Sequence, residues 1–249
     1  MGVARLDVSN KQWLYVSGCS HLAGSEVVEQ GNTARTNEAV GLVWPGLLAK
    51  EYELNYINQC MPGASNDYIV RSTMQFVSKW IAQGRDPSEL LVVIGWSTNE
   101  RMEFTHEHDG HTQHYHWANG CDYKSFYKDG QGPNFKNWFK ALQLYHTDFD
   151  FGMTKRVINI TLLDTFLKSV GVEYIQTNSC AKMDQGQWEF LNIEHLRDAF
   201  PFETFFEPYD SFVDQYKDDY PEHFSDWLHA DAYIHEQYYS KFKSQLAGM

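Results

Sequence analysis

Three short polar turns contain residue types that suit acyl transfer. Each turn follows an apolar run, and the sequences are GCSHLAG at residues 18–24, PGASND at residues 62–67 and GWSTNE at residues 95–100. A serine needs a base to remove its proton before it attacks a carbonyl, and the resulting oxyanion needs hydrogen-bond donors. Ser20 can supply a hydroxyl and a backbone N–H, Gly63 an unobstructed N–H, and Asn99 an amide N–H. The turns therefore predict a Ser20 nucleophile with an oxyanion site of Ser20, Gly63 and Asn99.

The C-terminal part of the chain supplies a candidate base and its carboxylate. Asp226 and His229 lie three residues apart, directly before a predicted helix. A carboxylate that bonds one ring nitrogen of a histidine fixes the tautomer, so that the other nitrogen can face the serine. We therefore predict a catalytic triad of Ser20, His229 and Asp226. His235, on the predicted last helix, is interpreted as a packing or supporting residue.

Each of these residues also has an ordinary structural interpretation. Glycine and asparagine favour turns in any protein, and Ser20 could be a turn serine. His229 could be a surface histidine and Asp226 a helix cap. Cys19 lies beside Ser20 and could be mistaken for a nucleophile, but we expect its side chain to point towards the core.

Hydrophobic periodicity predicts strands that alternate with helices. The predicted strands cover residues 12–17, 51–58, 89–94 and 172–177. The predicted helices cover residues 33–50 with a break near Pro45, 65–83, 134–146, 154–169 and 231–246. Such alternation predicts an α/β domain with a mainly parallel sheet. Because ligands bind beyond the carboxyl ends of parallel strands, we expect the polar turns to meet at one edge of the sheet.

Four polar segments, taken in order, resemble the four sequence blocks of the SGNH hydrolases, also called GDSL-like hydrolases. The segments are GCSHLAG for the first block, PGASND for the second, GWSTN for the third and DWLH for the last. This resemblance spans nearly the whole chain. It implies a three-layer α/β/α sandwich with a mainly parallel sheet, which is flavodoxin-like, and it implies the same nucleophile, oxyanion donors and triad. Two positions depart from the pattern, because Cys19 stands where Asp is usual and Ala230 where Pro is common.

Length and charge limit the functions that the chain can have. Its 249 residues can bury a full core, and we predict a single domain over residues 1–249. The formal net charge of -13 disfavours nucleic acid as a partner, because phosphates repel an acidic surface. The N-terminus lacks the apolar core of a signal peptide, and no run is long enough to cross a membrane. We therefore expect a soluble, cytoplasmic protein without a membrane partner.

Two patterns bear on metal binding. The four cysteines include no CxxC pair, which disfavours a structural zinc site of thiolates. Five histidines lie within a predicted insertion at residues 101–133, and such clusters can bind transition metals. We keep His106, His108 and His111 as metal candidates, against the simpler interpretation of a polar loop that shapes the substrate pocket. A second irregular segment, rich in aromatic and acidic residues, is predicted at residues 200–225.

The favoured hypothesis is a serine esterase that needs no cofactor and cleaves a small-molecule or glycan ester, such as an O-acyl group on a carbohydrate. One alternative is an SGNH-fold protein that binds a ligand or has a structural role without turnover. The chain also resembles SGNH-like proteins encoded by tailed bacteriophages. Another alternative is a metal-dependent role of the histidines at residues 106–116.

Overall fold

A five-stranded parallel sheet forms the centre of the structure, which is a computed structural model. The structure describes residues 8–29, 36–108, 111–117, 149–182, 197, 200–207, 209–226 and 228–247. The strands are β1 (Trp13–Gly18), β2 (Asn55–Asn58), β3 (Leu90–Trp96), β6 (Glu173–Asn178) and β7 (Phe205–Phe206), in the spatial order β2-β1-β3-β6-β7. Two further strands, β4 (Met102–His108) and β5 (His111–Trp117), form a separate antiparallel pair.

The central strands are apolar on both faces because helices cover both faces. Along β1, Tyr15 contributes to one hydrophobic core and Val16 to the other. Along β3, Val92 and Val93 alternate in the same way. Continuous apolar runs of this kind are typical of parallel strands between two helical layers.

The helices form one layer on each side of the sheet. Their bounds are α1 (Ser20–Ala23), α2 (Asn37–Leu42), α3 (Trp44–Glu51), α4 (Asn66–Ala82), α5 (Phe149–Ser169), α6 (Phe212–Tyr216) and α7 (Ala232–Ala247). Helices α4 and α5 pack on the face that contains Tyr15, and α3 and α7 on the face that contains Val16. The predicted three-layer α/β/α sandwich is therefore confirmed. With its five strands numbered in chain order, the sheet has the flavodoxin-like order 2-1-3-4-5.

Local signals explain where several of these helices begin and end. The Ser65 hydroxyl accepts a hydrogen bond from the N–H of Tyr68 and caps α4, and Gly84 adopts a positive φ of 73° just beyond its end. The predicted break near Pro45 is also present. Val43 is extended between α2 and α3, and Pro45 lies in the first turn of α3.

Three segments differ from their predicted structure. Residues 51–54 precede β2 instead of belonging to it, because α3 continues to Glu51. The insertion that was expected to be irregular contains the β4–β5 hairpin, and the helix predicted at residues 134–146 lies outside the described residues. The segment at residues 200–225 contributes Phe205, Phe206 and Phe212 to the cores, through elements too short to show a periodicity. Within the described part of the chain, no helix combines the length and apolar character that a bilayer crossing requires.

Candidate active site

The topology of the sheet creates a crevice between the carboxyl ends of β1 and β3. The chain continues from β1 to β2 on one side and then crosses to β3 on the other, so the strand order reverses at this point. In open α/β sheets, ligands bind at such a switch point. Gly18 and Gly95 are paired in register, and each directly precedes one of the polar turns. The crevice is therefore flanked by Ser20 on one turn and Asn99 on the other.

Hydrogen bonds connect the three polar turns to one another. The N–H of Met61 donates to the carbonyl oxygen of Gly18 at 3.0 Å, which joins the second turn to the first. The Asn66 side chain joins the second turn to the third. It accepts from the N–H of Ser97 at 2.8 Å and donates to the carbonyl oxygen of Thr98 at 3.2 Å. The structure thus brings the three turns together at one edge of the sheet.

Ser20 is the first residue of the short helix α1, directly after β1. It is 4% exposed, and Gly24 ends the helix with a φ of 84°, a conformation that favours glycine. Gly63 also has a positive φ, of 78°. Among the described residues, neither the N–H of Ser20 nor that of Gly63 has a hydrogen-bond acceptor. Both N–H groups are therefore available to bind an oxyanion.

The carboxylate that bonds His229 is Glu26 and not the predicted Asp226. Nδ1 of His229 lies 2.5 Å from Oε2 of Glu26, whereas Asp226 is exposed and has no hydrogen bond to His229. A tight turn explains the difference. The N–H of Leu228 donates to the carbonyl oxygen of Ser225, and Leu228 has a positive φ of 61°. This turn leaves Asp226 in solvent and directs the His229 ring towards α1.

Glu26 is held in place by a small hydrogen-bond network. Its side chain is only 2% exposed, and its Oε2 accepts from the Ser225 hydroxyl at 2.6 Å as well as from His229. The Ser225 hydroxyl in turn accepts from the backbone N–H of His229 at 3.2 Å. Because an ionised carboxylate can only accept, Nδ1 of His229 carries a proton, so that Nε2 is the unprotonated nitrogen of the neutral ring. This is the tautomer that a general base requires.

His229 lies close to the nucleophile turn without contacting Ser20 through a hydrogen bond. The rings of His229 and His21 are 5.1 Å apart, and His21 directly follows Ser20. Among the described residues, no hydrogen bond joins the hydroxyl of Ser20 to His229. Catalytic hydrogen bonds are often long in unliganded enzymes and tighten when substrate binds.

Asn99 is oriented by a buried arginine that the sequence did not reveal. Arg156 is 1% exposed and donates to Oδ1 of Asn99 at 3.0 Å and to Oδ1 of Asn178 at 2.6 Å. Burial lowers the pKa of Arg156 to about 10, so its side chain is still a cation at neutral pH. Since a guanidinium has only donors, Oδ1 of Asn99 must face Arg156. Among the described residues, the one acceptor of the Asn99 Nδ2 group is then the weak acceptor Sδ of Met153, at 3.5 Å, so this group can serve an oxyanion.

A cluster of possible metal ligands lies around the nucleophile. The ligand atoms of Cys19, His21 and Cys180 are all within 4.8 Å of one another. As expected, the Cys19 side chain is buried in the core, with 0% exposure. A hydrogen bond between the two thiols lowers the pKa of Cys19 and raises that of Cys180. Burial lowers the pKa of His21 well below its usual value, so its imidazole is neutral.

The remaining predicted residues have other positions. His235 is buried in the core, where it stacks on Phe212 at 4.7 Å, in agreement with a packing role. The backbone pairs His108 with His111 in the β4–β5 hairpin, and His106 lies on β4. The side chains of these three residues lie outside the described part of the structure. Their role as metal ligands therefore stays a prediction.

Comparisons with known proteins give a family and distant structural resemblances. A sequence model described as "Family of unknown function (DUF6071)" matches residues 25–184, and no curated protein matches the chain. The fold is similar to a GDSL-like lipase from Bacteroides thetaiotaomicron VPI-5482, with a TM-score of 0.44 and 12% identity, covering 99% of this chain and 92% of that chain. It is also similar to a carbohydrate esterase whose active site displays divergent catalytic and non-catalytic binding functions, with a TM-score of 0.43 and 11% identity, covering 96% and 68% of the two chains. Resemblances at this level do not assign a function.

Proposed function

We propose that this chain, which belongs to the DUF6071 family, is an SGNH-type serine esterase that forms an acyl-enzyme on Ser20. The observation that carries the proposal is the contact between the buried carboxylate of Glu26 and the partly buried ring of His229, next to the turn that contains Ser20. A buried carboxylate destabilises the native state unless its charge is paired. A carboxylate that fixes the tautomer of a histidine is a recurrent feature of sites with an activated nucleophile. Its position at the switch point of the sheet, where ligands bind in such folds, supports the same conclusion.

The proposed reaction begins when His229 Nε2 accepts the proton of the Ser20 hydroxyl. The Ser20 oxygen forms a bond to the ester carbonyl carbon, and the carbonyl oxygen becomes an oxyanion. The tetrahedral intermediate then collapses, the bond to the alcohol oxygen breaks, and His229 returns its proton to the departing alcohol. A water molecule then gives a proton to His229 and forms a bond to the acyl carbon. The bond to the Ser20 oxygen breaks, His229 returns the proton to that oxygen, and the acid is released.

Three donors around the crevice are proposed to stabilise the oxyanion. These are the backbone N–H groups of Ser20 and Gly63 and the Nδ2 group of Asn99. Support comes from the lack of acceptors for the two backbone groups among the described residues and from the orientation that Arg156 imposes on Asn99. Donors that are already in place before the reaction lower the barrier because they need no reorganisation.

Glu26 replaces Asp226 as the proposed third member of the triad. Its role is to hold His229 in the productive tautomer and to stabilise the imidazolium that forms when Ser20 loses its proton. The Ser225 hydroxyl supports this role, because it bonds both the carboxylate of Glu26 and the backbone N–H of His229.

The proposed substrate is an uncharged ester, with an O-acyl group on a carbohydrate as the class to examine first. The formal net charge of -13 disfavours a polyanionic substrate, since an acidic protein repels it. Hydrolysis of acetylated sugars can be compared with hydrolysis of p-nitrophenyl esters of increasing acyl length. A preference for long acyl chains over acetylated sugars would contradict the carbohydrate assignment and leave the esterase mechanism intact.

A second candidate function is ligand binding without turnover. It is favoured by one observation, the lack of a hydrogen bond between Ser20 and His229 among the described residues. Labelling with a fluorophosphonate and hydrolysis of an ester separate the two functions, because both reactions require an activated serine.

The test uses wild type, Ser20→Ala and Ser25→Ala. Ser25 is a matched control, because it is also 4% exposed and lies in the same segment. We expect wild type and Ser25→Ala to hydrolyse p-nitrophenyl acetate and to bind a fluorophosphonate on the peptide that contains Ser20. Ser20→Ala should lose the label and at least about 10³-fold in activity. Equal rates for wild type and Ser20→Ala would overturn the proposal.

A further inference from the structure

Cys19, His21 and Cys180 form a compact group of soft donors beside the nucleophile turn. Cys19 and His21 flank Ser20 in sequence, and Cys180 follows the end of β6. The two sulfur atoms are 3.3 Å apart, and the ligand atoms of all three residues lie within 4.8 Å of one another. The group therefore joins the turn after β1 to the segment after β6.

His21 contains a buried polar atom that nothing in the described structure satisfies. The residue is 6% exposed, and its Nδ1 has no hydrogen-bond partner. Most buried polar side-chain atoms are hydrogen-bonded, so an exception needs an explanation.

We propose that Cys19, His21 and Cys180 bind a thiophilic metal cation with a filled d shell, either Cu⁺ or Zn²⁺. Two thiolates and an imidazole are a donor set that both ions accept, and three protein ligands leave room for one more. The proposal does not depend on esterase activity, because metal binding is measured directly.

The distance between the sulfur atoms fits a metal better than a disulfide. Two thiolates bound to zinc at about 2.3 Å in tetrahedral geometry are about 3.8 Å apart. The sulfur atoms of Cys19 and Cys180 are 3.3 Å apart, so they would have to separate by about half an ångström to bind the metal. A disulfide of about 2.05 Å would require the sulfur atoms to approach by more than twice that amount. Metal binding therefore requires a smaller displacement of the two side chains than a disulfide does.

The test is a titration of untagged, fully reduced protein without oxygen, in competition with a chromogenic chelator for Cu⁺ and, separately, for Zn²⁺. Wild type should bind one equivalent of Cu⁺ or of Zn²⁺ and gain thermal stability, because a ligand that binds only the native state stabilises it. Loss of a residue that hydrogen-bonds to a metal ligand lowers metal affinity by roughly 10- to 100-fold. Cys180→Ser and His21→Asn should each lower the metal affinity by more than this. Cys60→Ser is the matched control, since Cys60 is a buried cysteine outside the cluster, and it should bind like wild type.

Three results would overturn the proposal. The first is stoichiometric binding of neither ion by a folded wild-type protein. The second is equal affinity in wild type and Cys180→Ser, with circular dichroism showing that both are folded. The third is equal affinity in wild type and His21→Asn when both are folded, because His21 would then not be a ligand. Cys180 is only partly buried, so its replacement is the variant that best preserves folding.

Discussion

His229 Nδ1 lies 2.5 Å from Oε2 of Glu26, although 203 residues of sequence separate the two side chains. The contact joins the segment after α1 to the turn before α7, which are brought together on one face of the sheet. It determines which nitrogen of His229 is unprotonated, and it does so with a carboxylate that is nearly inaccessible to solvent. A mechanism that relies on His229 as a base therefore depends on Glu26.

The first prediction compares Glu26→Gln with Asp226→Asn. Each variant removes one carboxylate with little change in volume. We expect Glu26→Gln to lower kcat for p-nitrophenyl acetate by roughly 10³- to 10⁴-fold, because an amide no longer fixes the tautomer of His229. Asp226→Asn should stay within about twofold of wild type, since Asp226 is exposed and has no bond to His229.

Thermal unfolding of both variants serves as the control for folding in this comparison. A loss of activity in Asp226→Asn that equals the loss in Glu26→Gln would contradict the assignment of Glu26. Full activity in a folded Glu26→Gln variant would contradict it as well.

The parts of the fold that could be predicted from sequence are those with local signals. The cap at Ser65, the glycine at Gly84 and the break near Pro45 lie within a few residues of the features that they control. The apolar runs of β1 and β3 are also local, and their ends locate Ser20 and Asn99. The approximate position of the site followed from these signals, because parallel strands share their carboxyl edge.

Residues whose roles depend on distant partners could not be predicted in the same way. Glu26 has no sequence spacing that relates it to His229, whereas Asp226 is three residues away and was preferred for that reason. Arg156 lies in a helical pattern where a charged residue normally faces solvent, and its burial depends on Asn99 and Asn178 from other elements. The β4–β5 hairpin consists largely of polar residues, so no apolar periodicity marked it.

The second prediction concerns the amide of Asn99. Asn99→Asp keeps an oxygen for Arg156 and removes the Nδ2 donor. We expect kcat to fall by about 10²- to 10³-fold, as for other losses of one oxyanion donor, while KM changes little. Steady-state kinetics together with unfolding in urea would check this result. An unchanged kcat in the folded variant would remove Asn99 from the oxyanion site.

The third prediction uses a glycine in α5 that touches Asn99. A Cβ atom at Gly152 would lie 2.7 Å from the backbone oxygen of Asn99 and 3.2 Å from its Cβ, so Gly152→Ala must displace Asn99. We expect a fall in kcat of about tenfold or more, because small displacements of catalytic groups are costly. In a helix interior, Gly→Ala normally raises the stability by roughly 0.5–1 kcal/mol. We expect Gly152→Ala not to show this gain.

Gly41→Ala is the matched control for Gly152→Ala. Gly41 also lies in a helix, α2, and an added Cβ meets no atom within 4 Å. This variant should gain up to about 0.5–1 kcal/mol in stability and keep its activity. If Gly152→Ala behaved like Gly41→Ala in both respects, the close contact with Asn99 would have no effect on the site.

The fourth prediction concerns stability at acidic pH and the buried residue His235. Burial lowers the pKa of His235 to about 3, and its Nδ1 accepts a hydrogen bond from the N–H of Trp44 at 3.3 Å. An unfolded histidine has a pKa of about 6.5. Between these values the unfolded chain binds a proton at this position that the native protein does not bind. The free energy of unfolding therefore decreases as the pH falls from 6.5 towards 3, by up to about 2 kcal/mol for His235 at pH 5.

His235→Gln tests this linkage because glutamine does not titrate. The variant should be less stable than wild type at pH 7, since it loses the stacking of His235 on Phe212. Its stability should nevertheless fall less than that of wild type between pH 7 and pH 5, as measured by urea unfolding at both values. Some decrease should persist, because the pKa of buried His21 is also lowered and His21 contributes with the same sign. An identical decrease in wild type and His235→Gln would show that His235 does not remain neutral in the native protein at pH 5.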